Sequence, residues 1–225
     1  MDWKSIKTDL LSMNRLIFCE FSLSKATDWK KPDGIVFERF NPMDMEMLDE
    51  TLQQMEFESD FTLDDVILRI RKRYFCYVVK REDRIIGYCW WAVGDHHIEY
   101  FDGNIELRSD ELFCINNYMH RAFRGLGLLN MLKTYAFSEL KNCGYNRDII
   151  CYYQWNKAAT RMNRKMGYSY IGSVTHGYLF TIRYLVNTVT TVRLSFHRDP
   201  LLLWKKLLSR RRGHQRSPTD YRCPF

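Results

Sequence analysis

One short stretch constrains this chain more than any other: Arg121-Ala122-Phe123-Arg124-Gly125-Leu126-Gly127-Leu128-Leu129. Before it, Glu111 to Met119 is apolar and reads as a strand. After it, Leu128 to Cys143 has helical periodicity and ends at Gly144, a suitable C-cap. A turn with two glycines between a strand and a helix aims several backbone N–H groups into one concavity, and the helix N-terminus adds partial positive charge. Gly125 and Gly127 let a ligand approach the main chain with no side chain in the way. Arg124 is expected to add charge at the rim. The arrangement suits a phosphate or pyrophosphate.

Two familiar phosphate loops do not fit. The P-loop spacing of Gly, four residues, then Gly-Lys-Ser/Thr is absent. The dinucleotide fingerprint needs a third glycine where this chain has Asn130. Taken alone, the stretch is a weak signal, and a tight turn in any α/β protein is the alternative.

The sequence that follows narrows the choice. Asp148 to Tyr153 reads as a strand. Asn156 is a good N-cap, and Ala159, Met162 and Met166 recur on one face of a short helix that ends at Gly167. Strands over 168–174 and 178–186 come next. On Arg124-Gly125-Leu126-Gly127-Leu128-Leu129 and on Asn156 with Lys165-Met166-Gly167-Tyr168, the chain resembles the GNAT superfamily of CoA-dependent N-acyltransferases. The likeness covers roughly residues 35–185. Leu129 stands where that pattern has Gly or Ala.

The resemblance implies an α/β (α+β) fold: a mixed, mostly antiparallel central sheet flanked by helices. In it, the two parallel strands beside the loop splay apart and open a slot for a pantetheine arm. It implies acetyl-CoA or another acyl-CoA as donor, held by Met119, Arg124, Gly125, Leu126, Gly127, Leu128, Leu129 and Asn156. The acceptor would be an amine of a small molecule or amino sugar that attacks the thioester directly. A longer acyl chain from a carrier protein, with Trp90, Trp91 and Phe113 lining or blocking a tunnel, and a non-catalytic CoA sensor are the alternatives.

Acyl transfer needs a base for the amine and help for the departing thiolate. Glu111, thirteen residues before Arg124, is the candidate base, because related histone acetyltransferases carry a glutamate at the corresponding place. In an apolar slot its pKa would rise. It is equally a surface residue beside Asp110; Glu106, His120 and Asp110 through water are the other candidates. The family's usual tyrosine acid falls on Asn163, which can donate a hydrogen bond to sulfur but cannot deliver a proton. Tyr152, Tyr153 and Tyr168 lie nearby in sequence.

The rest of the chain reads in order. Asp2 to Asn14 is a short helix candidate, and Arg15 to Phe21 an extra N-terminal strand. Ile35 to Phe40 is the first strand of the common core, followed by helices after Asn41-Pro42 and from Leu63 to Arg73. Tyr74 to Lys80 and Arg84 to Val93 form a hairpin carrying Trp90 and Trp91, read as core aromatics. Gly94 to Asn104 has no assignable pattern. The expected organisation is an extension over 1–34, an acyltransferase domain over 35–192 and a basic tail over 193–225.

Charge supports that last boundary. Residues 193–225 carry nine Lys/Arg and two Asp/Glu, while the remainder carries 25 of each. A balanced body argues against nucleic acid as its partner. In the tail, Pro200 to Arg212 places leucines and Trp204 ahead of basic residues. It reads first as a helix packed on the body, next as a peripheral membrane contact, last as a nucleic-acid contact. A homodimer is compatible with the sequence. The seven cysteines contain no Cys-x-x-Cys and no apolar leader opens the chain, which fits free thiols in the cytoplasm, with the inner membrane face as the variant the tail suggests. No metal is expected: His96 and His97 are adjacent, and no His-Glu-x-x-His occurs.

Overall fold

The computed structural model describes residues 11–26, 32–53, 62–179 and 182–196. Strands β1 (Leu11–Ser22), β2 (Ile35–Arg39), β3 (Phe75–Arg81), β4 (Arg84–Ala92), β7 (Glu111–Met119), β8 (Arg147–Tyr153), β9 (Ser169–Leu179) and β10 (Ile182–Asn187) form one eight-stranded sheet. Its order is β10-β9-β1-β8-β7-β4-β3-β2. Every neighbouring pair is antiparallel except β7 with β8, which run parallel. A parallel pair needs a crossover, and α3 (Leu128–Asn142) supplies it.

The two faces of the sheet are separate cores, because alternate strand residues point to opposite sides. Leu16, Phe18, Trp90, Ile115, Ile149 and Tyr153 pack on the face that holds Leu48 of α1 (Met45–Gln53) and Val66 of α2 (Leu63–Arg71). Cys19, Phe21, Trp91, Cys114, Ile150 and Tyr152 pack on the other, under α3 and Ala159 of α4 (Lys157–Met166). Trp90 and Trp91 are therefore core residues on opposite faces, both fully buried. Thr62 caps α2 through a capping box with Asp65, and Glu82 and Asp83 turn the β3–β4 hairpin with positive φ.

Three sequence expectations change. Leu11 to Asn14 belong to β1, paired with Leu179 to His176 of β9, so they are strand and not helix. The backbone partner overrides the weak helical period there. β1 lies inside the sheet, between β8 and β9. Residues 94–106 contain β5 (His96–Ile98) and β6 (Gly103–Glu106), which join β11 (Arg193–Phe196) in a second, three-stranded sheet. The first residues assigned to the tail are thus strand. The Pro200 to Arg212 segment lies outside the described residues. No helix among those described is long and apolar enough to cross a membrane.

Candidate functional site

The site is made by two strands that part company. β7 and β8 pair from Glu111↔Arg147 to Cys114↔Ile150 and no further. Beyond that point β7 stays paired with β4 as far as Met119↔Gly87, and β8 with β1 as far as Tyr153↔Leu16. The cause lies in β7. Trp90 of β4 faces Asn116 and Trp91 faces Cys114, which leaves Ile115 as an extra residue. Such a bulge bends its strand and raises the local twist. The result is a V-shaped slot whose edges carry the main-chain N–H and C=O groups that β7 and β8 no longer exchange.

The glycine turn closes the open end of β7. Gly125 has φ +81° and Gly127 φ +77°, values that a side chain disfavours. A Cβ placed on either would meet no atom within 4 Å, so the space above both is open. Gly127 is the N-cap of α3, and the first helical bond runs from Met131 N–H to Gly127 O at 3.1 Å. The N–H groups of Gly127 to Asn130 precede that bond and project from the helix end. Leu128 is buried and Leu129 packs against the α3-side core, so Leu129 turns its side chain inward, not toward a ligand. Leu126 is exposed. Arg124 folds back: its Nε donates to Met119 O at 2.9 Å, and its guanidinium lies 6.0 Å from the Tyr118 ring centroid. It therefore fastens the turn to β7 as well as carrying charge there.

α4 follows β8 and packs on the same face of the sheet as α3. Asn156 caps it, accepting from Ala159 N–H at 3.0 Å through Oδ1. Gly167 ends it, donating to Arg164 O and Asn163 O. Asn163 lies on the same helix face as Ala159 and is 1 % exposed. Among the described residues, neither its Oδ1 nor its Nδ2 has a hydrogen-bond partner. Leaving a buried amide unmade costs about 1–3 kcal/mol per group, so this side chain is poised for a ligand with both a donor and an acceptor.

The carboxylates lie elsewhere. Glu111 is at the closed end of the V, 2 % exposed, where Oε2 accepts from Arg108 N–H at 3.0 Å and Oε1 from Arg108 Nε at 2.9 Å and Arg147 Nη1 at 2.6 Å. Eight residues of strand put it roughly 26 Å from Met119. It holds two guanidinium groups and does not line an apolar slot. Arg147 also binds Glu20 and Thr191, tying β1, β8 and the loop before β11 together. Glu106 of β6 pairs with Arg193 at 3.2 Å, and the Asp110 carboxylate lies at the closed end, 3.9 Å from Arg108 Nε. His120 is at the open end, but its Nδ1 accepts from Ala122 N–H at 3.3 Å.

A buried polar cluster missed by the sequence reading braces the apex. Lys133 of α3 and Asp148 of β8 are fully buried, 4.0 Å apart. Tyr168 OH donates to Asp148 Oδ2, Trp91 Nε1 to Asp148 Oδ1 at 3.0 Å, and Lys133 Nζ to Tyr168 OH at 3.2 Å. Burial lifts the Asp148 carboxyl to about 6, against the pull of Lys133. Burial works against the Lys133 charge, yet Cys114 and Asp148 hold its pKa above the ordinary lysine value. A lone Lys inside an apolar helix period was the available signal. Among the described residues, no group of three or more His, Cys, Asp or Glu could hold a metal.

The comparisons agree with this fold. The family model described as the acetyltransferase (GNAT) family matches residues 42–168, more than half of the chain. A GCN5-related N-acetyltransferase from Sphaerobacter thermophilus superposes with a TM-score of 0.55 at 15% identity, over 86% of this chain and 58% of that one. A functionally unknown conserved protein from Staphylococcus epidermidis gives 0.54 at 8% identity, over 84% and 69%. A Drosophila protein gives 0.51 at 12%, over 76% and 53%. The chain thus spans little more than half the length of the Drosophila and Sphaerobacter proteins. At these identities the likeness is one of fold. No curated protein matches the chain in sequence.

Proposed function

The chain belongs to the acetyltransferase (GNAT) family, and from that premise we propose that it transfers an acyl group from an acyl-CoA, most simply acetyl-CoA, to the amine of a small molecule or amino sugar. The observation that carries the reading is the slot between β7 and β8, opened by the bulge at Ile115 and ending on the Gly125–Gly127 turn. The turn and the first N–H groups of α3 hold a pyrophosphate. The unpaired main-chain edges of β7 and β8 pair with the amides of the pantetheine arm, as one strand pairs with another. Asn163 and the Asn156 amide complete that binding.

Bound acetyl-CoA supplies an activated acyl group. The chain's own part is to hold the carbonyl where an amine reaches it and to offer main-chain donors to the oxygen as negative charge develops. The amine nitrogen forms the new C–N bond, the C–S bond breaks, and the amine proton leaves to water. Asn163 hydrogen-bonds without giving up a proton, so the thiolate departs unprotonated. Trp90, Trp91 and Phe113 are filled core and give no support to a long-chain tunnel.

The engagement of buried Glu111 by Arg108 and Arg147 favours one second reading: a CoA-binding domain without turnover. Calorimetric titration with acetyl-CoA and free CoA, followed by thiol release over a panel of amines, separates the two. Micromolar binding with turnover supports acyl transfer. Binding without turnover supports the second reading. No binding by folded protein overturns both.

A further inference from the structure

The sheet separates donor from acceptor. The turn and α3 lie on one face, so an amine attacking a thioester held in the slot approaches from the face of α1 and α2. At the open end of β8 that face carries an aromatic step. Tyr153, the last residue of β8, is buried there, and Tyr100 meets it edge-on at 5.0 Å. Trp155 lies flat on Tyr153, with centroids 5.3 Å apart and planes at 11°. Trp155 is 53% exposed, so the ring face turned away from Tyr153 meets solvent. Its main chain is fixed on both sides: Gln154 N–H donates to Arg15 O, Asn156 N–H to Tyr153 O and Lys157 N–H to Trp155 O. A large apolar ring held rigidly in water beside a reaction slot is prepaid for binding, since little motion remains to be lost.

We propose that Trp155 is the stacking platform for the acceptor, and that the acceptor is an amine borne on a six-membered sugar ring; this rests on the acyl-transfer reading. A sugar ring turns C–H groups toward an indole face and hydroxyls outward. The edge here suits hydroxyls, because Gln154, the chain neighbour of Trp155, is exposed and its amide can both donate and accept. Lys157 and Arg161, both exposed on α4, disfavour a polycationic amine at the same place. A single amine on a neutral ring avoids that repulsion.

Saturation-transfer NMR on the full chain tests this, with methyl glucosaminide as the probe and tyramine and spermidine as competitors, each with CoA present. The sugar ring protons should saturate. Trp155→Ala should weaken sugar binding by about tenfold or more, and Trp155→Phe should restore part of it. Calorimetry should find CoA affinity in Trp155→Ala near the parent value. Sugar saturation that Trp155→Ala leaves unchanged, none at all in protein that binds CoA, or preferred binding of tyramine or spermidine overturns the proposal. Loss of CoA binding by the parent protein instead overturns the acyl-transfer reading, and a separate titration reports it.

Discussion

Cys114 and Ile150 are the last residues to face each other across the β7–β8 seam, and the next residue of β7, Ile115, is the bulge that turns the strand away. The slot therefore begins at a defined residue pair. Everything placed on the donor lies past it, and Glu111 lies four positions short of Ile115 on the closed side.

The turn should fail selectively. In Gly127→Val a β-branched residue must hold φ near +77°, at a cost of about 1–3 kcal/mol, and its side chain fills the open space over the turn. Calorimetry should show CoA binding at least about tenfold weaker in protein that still folds. Undiminished affinity would mean that the phosphate lies elsewhere.

Glu111→Gln should alter stability and spare chemistry. The substitution removes the charge that Arg108 and Arg147 share, so the melting temperature should fall. Well below that temperature, kcat should stay within about twofold of the parent, with an unchanged pH profile. A collapse of kcat at normal stability would restore Glu111 as the base.

The turn, the cap and the helix stop that the donor reading uses were legible in the sequence because their signals are local. Gly125-x-Gly127, the Asn156 cap and the Gly167 stop each depend on residues within one turn. The misreadings involve partners far apart in the chain. Nothing near Glu111 in sequence shows that Arg147, 36 residues on, reaches its carboxylate. Nothing in Leu11 to Asn14 shows that β9 pairs with them, more than 160 residues later. The bulge at Ile115 is equally silent, since it exists only as a mismatch with Trp90 and Trp91. β5 and β6 are three and four residues long, too short for a period to emerge.

Asn163 should trade stability against binding. Asn163→Leu removes two unpartnered polar atoms from a buried position at similar volume, so the ligand-free protein should gain about 1 kcal/mol. The same change should weaken CoA binding by about tenfold, because the donor loses both hydrogen bonds. Melting curves with and without CoA read both effects. A variant that is less stable when ligand-free and binds CoA as the parent does would show that Asn163 serves only the fold.

Asp148 should make stability fall as the solution becomes less acidic. Its carboxyl titrates near 6 in the folded chain against 3.8 as the ordinary value. A raised folded-state pKa contributes stability that is complete below the unfolded value and is lost as pH rises through the folded one. That rise corresponds to about 3 kcal/mol, lost between roughly pH 4 and pH 6. Lys133 has its pKa raised too, but that contribution is lost only above the ordinary lysine range and leaves this window untouched. Asp148→Asn keeps an acceptor for Tyr168 and Trp91 and has nothing to titrate. Denaturation of parent and variant at pH 4 and pH 7 should show the parent losing stability relative to the variant. The opposite slope would mean that Lys133 outweighs burial and that Asp148 is a fully charged partner at the apex of the slot.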